Sequence, residues 1–182
     1  MKRAILLLSL MASTASFSQD DCRYSKNEVD EFTGNKTVVT EWEPFIQHTD
    51  SALKKYYKKE DYLTADVMGA SVSETQAFYV RYKILSDEAY KYFGSISTEA
   101  KLILKFSDGE TLTLNAAKYD TGDTNYDMDY TFYATYYLLT DDEMEIISTK
   151  PIEKVRMYWS KGYEDYECDN PESVLKVMNC VK

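Results

Sequence analysis

The stretch "EAKLILKFSDGETLTLNA", Glu99 to Ala116, decides the fold, because it reads as a β-hairpin whose register follows from its residues. Leu102, Leu104 and Phe106 fall at every second position before Ser107-Asp108-Gly109, and Leu112 and Leu114 do the same after it. A two-residue Asp108-Gly109 loop would set Phe106 opposite Thr111 and Leu104 opposite Thr113, mixing apolar and polar side chains on one face. A three-residue loop with Gly109 left-handed pairs Leu104 with Leu112 and Leu102 with Leu114 instead, so that turn is expected.

Outward from this hairpin the chain keeps the same character. "YSKNEVDEF" and "KTVVTEW" on either side of "TGN" read as a first hairpin, and "YLTADVMGASV" and "QAFYVRYKIL" as two further strands. The second alternates through Phe78, Val80, Tyr82 and Ile84. Between these pairs, "HTDSALKKYYKKED" is expected to form a short helix capped by Thr49 or Asp50. "SDEAYKYFGSIST" is a loop or a single helical turn. "TDDE" at Thr140 is a capping box opening a short helix through Ile147. "IEKVRMYWS" is a strand with Val155, Met157 and Trp159 on one face, and "KGYEDYE" turns at Gly162 into an edge strand. Many short strands, regular turn signals and brief helices predict a mainly β chain, a single antiparallel β-sandwich with two or three short helices, one of them C-terminal.

The most ambiguous segment is "DTGDTNYDMDYTFYATYYL", Asp120 to Leu138. Asp123, Asn125, Asp127 and Asp129 begin a calcium-loop pattern, but an EF-hand needs glycine at its sixth position and glutamate at its twelfth, where Met128 and Ala134 stand. The period of two predicts a turn leading into a strand, with the even-numbered Tyr126, Met128, Tyr130, Phe132, Tyr136 and Leu138 toward the core and the aspartates toward water. Two lesser expectations attach to it. Asp120, Asp123 and Asp127 are the candidate ligands of a weak calcium site at the turn. Tyr133 and Tyr137, sharing the aspartates' face, are the candidate exposed rings of a carbohydrate platform.

The first residues bear on location. Lys2 and Arg3, an apolar run from Ala4 to Ala12 and small residues from Ser13 to Ser16 have the anatomy of a secretory signal peptide. Cleavage after Ser18 leaves a single β-rich domain over residues 19–182, with cleavage after Ala15 as the alternative; Asp20 and Asp21 before Cys22 argue against acylation of that cysteine. The apolar run is shorter than the ~20 residues that span a bilayer, and no later stretch does so. Three cysteines in an exported chain predict one disulfide and one spare thiol. "DNPESVLKVMN", between Cys168 and Cys180, reads as a helix capped by Asp169 or Asn170 with Pro171 in its first turn. Its ends lie about 15 Å apart, beyond the ~7 Å a disulfide allows. Cys22 with Cys180 is the expected bond.

A formal charge of −10 over 182 residues excludes phosphate backbones and anionic lipid surfaces as natural partners, so no nucleic acid is expected. Catalysis is poorly staffed. His48 is the lone histidine, which limits a nucleophile–base arrangement to one base and disfavours zinc sites built from several histidines. A carboxylate pair for hydrolysis is not a specific signal among 31 acidic residues. Lys54, Lys55, Lys58 and Lys59 around Tyr56 and Tyr57 form a basic run, read as a solvated face. The expectation is a non-enzymatic binding or structural protein without cofactor, whose partner is an envelope protein or glycan.

Three phrases, "YSKNEVDEFTGNKTVVTEWEPF", "LILKFSDGETLTL" and "LTDDEMEIISTKPIEKVRMYWSKGYEDYE" before a Cys-ended helix, make the chain resemble small exported proteins of Bacteroidetes-type bacteria, a group with no assigned activity. The resemblance implies a periplasmic or secreted location in a Gram-negative cell and no residue role.

Overall fold

A computed structural model describes residues 22–182; the expected signal peptide, residues 1–18, lies outside them. In chain order the elements are β1 (Tyr24–Val29), β2 (Lys36–Thr40), β3 (Glu43–His48), β4 (Leu63–Val72), β5 (Thr75–Ile84), α1 (Ala89–Phe93), β6 (Lys101–Phe106), β7 (Thr111–Asn115), β8 (Asp123–Asn125), β9 (Tyr130–Leu139), α2 (Asp141–Ile147), β10 (Ile152–Trp159), β11 (Gly162–Glu167) and α3 (Ser173–Asn179). Two antiparallel sheets result. The larger has the order β1-β2-β4-β5-β9-β8, with β3 also on β4, and the smaller has the order β11-β10-β6-β7.

Strand alternation explains how the sheets face each other. Phe78, Val80, Tyr82 and Ile84 of β5 are buried, as are Leu102, Leu104 and Phe106 of β6 and Val155, Met157 and Trp159 of β10. The Trp159 ring meets Tyr82, Tyr133 and Phe93 at centroid distances of 5.3, 5.1 and 5.2 Å, so aromatic packing joins the two layers. Apolar area removed from water, at roughly 25 cal/mol per Å², is the main favourable term holding such layers together. A register shift between Pro44 and Ile46 lets Phe45 and Ile46 both be buried although they are consecutive.

The hairpin of β6 and β7 has the expected register: Leu104 stands opposite Leu112, Leu102 opposite Leu114, and Gly109 has φ +88°. The Thr140–Glu143 capping box opens α2, and β11 is an edge strand. Cys22 is bonded to Cys180 with their Cα atoms 5.7 Å apart, while Cys168 is free and buried.

Three expectations are corrected. The segment after His48 forms turns, with no helix from Thr49 to Tyr62. Thr49 is spent at the base of this loop, where its hydroxyl donates to Asp61 and accepts the Tyr62 N–H, so it caps nothing. Second, α3 starts at Ser173, because Asp169 accepts the Gln47 N–H at 2.6 Å and the Asn170 N–H donates to the Phe45 carbonyl. The Asp169 carboxylate is thereby committed to β3, and the Asn170 backbone is tied to the same strand.

The third correction concerns Asp120 to Leu138. It is two strands, β8 and β9, joined by a turn over Tyr126–Asp129, in which the Asn125 side chain accepts the N–H groups of Asp127 and Met128. The faces are reversed from those expected. Thr131, Tyr133, Thr135 and Tyr137 are buried, whereas Tyr126, Met128, Phe132 and Leu138 are exposed. Each buried polar tip has a partner inside. Thr131 donates to the Ser86 carbonyl, Thr135 to the Lys118 carbonyl, Tyr133 to the Gly94 carbonyl and Tyr137 to the Met157 sulfur. A satisfied hydroxyl loses the desolvation penalty that would have kept it outside.

Candidate functional site

Asp120, Asp123 and Asp127 do not converge. Asp120 sits in an isolated bridge with Ile96, and its carboxylate accepts the N–H groups of Gly122 at 2.6 Å and Ala134 at 3.0 Å. It is a structural anchor that holds the incoming chain beside β9. Asp123 opens β8 and Asp127 lies in the turn beyond it, both exposed. Among the described residues no group of three or more His, Cys, Asp or Glu side chains is arranged to hold a metal ion.

Tyr133 and Tyr137 are each 0% exposed, which removes them as a carbohydrate platform. Burial, with the Asp120 charge as a lesser cause, pushes the Tyr133 hydroxyl up to about 12, and burial pushes Tyr137 well above the ordinary tyrosine value. These phenols are structural. His48 lies 3.7 Å from Asp50 and packs edge-on against Tyr166. Cys168, the spare thiol, is pushed up to about 12 by burial, followed by the charges of Asp169, Glu167 and Glu153, so its thiolate is scarce.

What the reversed faces expose is an aromatic outer surface on the larger sheet. Tyr79 of β5 stands opposite Tyr136 of β9, their rings stacked at 5.1 Å with an interplanar angle of 28°. One step along, Arg81 places its guanidinium 4.5 Å from the Trp42 ring while its Nε donates to Asp66 at 2.9 Å. The cation is thereby held over the indole face. Next, Lys83 is opposite Phe132, pairs with Glu60 at 3.0 Å and lies 5.4 Å from the Tyr130 ring.

At the edge of this face the β8–β9 hairpin forms a shallow cleft of about 420 Å³ lined by Asp123, Asn125, Tyr126, Asp127, Tyr130 and Phe132, with Thr124. Cross-strand register is the cause: Asp123 is opposite Phe132 and Asn125 opposite Tyr130, so their side chains share the outward face. Thr124 and Thr131 point inward and share a hydrogen bond at 3.1 Å. The basic run also stays at the surface, with Lys54, Lys55, Lys58 and Lys59 all exposed and Lys55 lying 4.7 Å from the Tyr56 ring.

Sequence reasoning picked the right strand for this surface and the wrong residues. The available signal was in β5, where Tyr79, Arg81 and Lys83 alternate with Phe78, Val80 and Tyr82: its outward face is aromatic and cationic, and the neighbour it pairs with shares that face. No family model, curated protein or solved structure matches the chain.

Proposed function

We propose that this chain is an exported, non-enzymatic binding or structural protein of the bacterial cell envelope, periplasmic or secreted, that meets its partner through the outward face of the larger sheet. The observation that carries the reading is the aromatic row on that face, above all the stacked Tyr79–Tyr136 pair beside the Arg81–Trp42 contact. Rings held half-open to solvent by neighbouring strands offer apolar area at little further loss of side-chain freedom. Export is supported by the signal anatomy of residues 1–18 and by the resemblance to exported proteins of Bacteroidetes-type bacteria. The Cys22–Cys180 disulfide is compatible with an oxidising compartment, and no helix among the described residues is long and apolar enough to cross a membrane.

A second reading, a carbohydrate-binding module, rests on the same pair, since each ring of a stack keeps its outer face for the apolar face of a sugar. The platform then consists of Tyr79 and Tyr136, not Tyr133 and Tyr137. One experiment addresses both readings. Wild type and a Tyr79→Ala/Tyr136→Ala variant are immobilised at equal density and challenged separately with envelope protein and envelope glycan fractions. The proposal predicts retention by wild type that the variant loses while its circular dichroism stays unchanged, and glycan-only retention selects the carbohydrate module. Equal retention by both proteins, or none, contradicts it.

A further inference from the structure

The cleft of the β8–β9 hairpin has a chemistry distinct from the rest of the outward face. Tyr130 and Phe132 stand edge to face, their centroids 5.0 Å apart at 68°, so they form a corner and not a flat platform. Tyr126, 74% exposed, rises from the turn as a third ring. Asp123 and Asp127 line the same space, and neither takes part in any ion pair among the described residues. No cationic side chain lines the cleft.

Rings meeting at an angle, with unpaired carboxylates beside them, are complementary to one kind of group. The electron-rich faces and the acceptor-only carboxylates attract a compact positive charge and repel phosphate, sulfate or carboxylate ligands. The chain itself shows the ring's preference, because the Lys83 ammonium, paired with Glu60 outside the cleft lining, sits 5.4 Å from the Tyr130 ring. A flat sugar would need coplanar ring faces, which two rings meeting at 68° do not offer.

We propose that this cleft binds an organic ammonium group, with Tyr126, Tyr130 and Phe132 contacting its alkyl shell and Asp123 and Asp127 balancing its charge. The proposal rests on the reading of the chain as a binding protein and names the chemistry of a second subsite on the same face. Such a group is carried by a lysine side chain of a partner protein, whereas a choline headgroup would bring with it a phosphate that the same carboxylates repel.

The test uses the full exported chain and proton NMR titration of choline chloride, of Nα-acetyl-lysine methylamide and of 3,3-dimethylbutan-1-ol, the neutral isostere of choline. The lysine derivative should show saturable binding with ring-current shifts of the protons next to nitrogen. The neutral isostere should bind about tenfold more weakly. Tighter binding of the lysine derivative than of choline is expected, and tighter binding of choline would overturn the assignment to a side chain. Asp123→Asn/Asp127→Asn should weaken the better ligand several-fold while the chemical-shift dispersion of the protein is kept, and Tyr126→Ala gives a second variant at an exposed position. Equal binding of the neutral isostere, or binding of neither cation, would overturn the proposal. None of these outcomes alters the capture experiment on Tyr79 and Tyr136, whose side chains lie outside the cleft, so failure of the subsite and failure of the binding reading are separable.

Discussion

The two tight hairpins, β6–β7 and β8–β9, show what makes a strand pair readable. In β6–β7 the inward positions Leu102, Leu104 and Phe106 are apolar, and the exposed Lys101 and Lys105 flank them. Only one register buries the leucines together. In β8–β9 both faces are aromatic: Tyr133 and Tyr137 point in, Phe132 and Tyr136 point out, and two threonines lie on the buried side. Amphipathic phenols and hydroxyls sit on either side of a sheet once their polar tips find partners, so alternation alone does not say which side is the core.

The largest test of that contrast sets adjacent residues of β9 against each other. Tyr133→Ala removes a fully buried ring and its hydrogen bond to Gly94, and is expected to cost about 3–5 kcal/mol in urea unfolding. Phe132→Ala, one residue away, should cost less than about 1 kcal/mol. Equal costs would break the assignment of faces.

The glycines of the two hairpins sharpen it further. Both Gly109 and Gly122 have positive φ, but a Cβ on Gly109 meets nothing within 4 Å, whereas one on Gly122 lies 2.7 Å from the Tyr133 ring and from the Thr131 methyl. Gly109→Ala should therefore cost the backbone term alone, about 1–2 kcal/mol. Gly122→Ala adds a steric clash with the buried face and should cost about 3 kcal/mol or more. Thermal melts of the two variants make the comparison.

Alkaline pH tests the same buried face without mutation. Burial raises the Tyr133 hydroxyl to about 12 and also holds Tyr137 well above the ordinary value of 10, so the unfolded chain releases these protons first. Stability is then complete below about pH 10 and falls as pH rises toward the folded values, by up to about 1.4 kcal/mol per pH unit for each such phenol. Denaturant titrations at pH 9, 10 and 11 read the slope. A flat profile would place these tyrosines in solvent. A smaller effect on the buried face belongs to Thr131→Val, which leaves the Ser86 carbonyl and the Thr124 hydroxyl without this partner and should cost about 1–2 kcal/mol in the same unfolding measurement.

Most of the architecture was legible because local chemistry repeated one answer: the Ser107–Gly109 turn, the Thr140–Glu143 box, the edge strand after Gly162 and the distance argument that leaves Cys22 to Cys180. The misreadings share a cause. Thr49 and Asp169 are good caps in isolation, yet the side chain of each is taken by a partner elsewhere, Asp61 with Tyr62 and Gln47. Asp120, placed in a hypothetical metal set, is likewise committed to two backbone N–H groups. Short polar side chains have several equivalent uses, and tertiary geometry selects among them. The outward surface was half legible: the strand was right, and the reversal of its faces moved the candidate rings from Tyr133 and Tyr137 to Tyr79, Tyr130, Phe132 and Tyr136.

Hydroxyl-radical footprinting of the native chain, read by mass spectrometry at single residues, tests the orientation of β9 directly. Tyr126, Met128, Phe132 and Leu138, exposed at 74, 68, 37 and 55%, should be labelled, and Tyr133 and Tyr137, at 0%, should be protected until the protein is unfolded. Labelling of Tyr133 and Tyr137 with protection of Phe132 and Leu138 would contradict the account and return the even-numbered residues to the core.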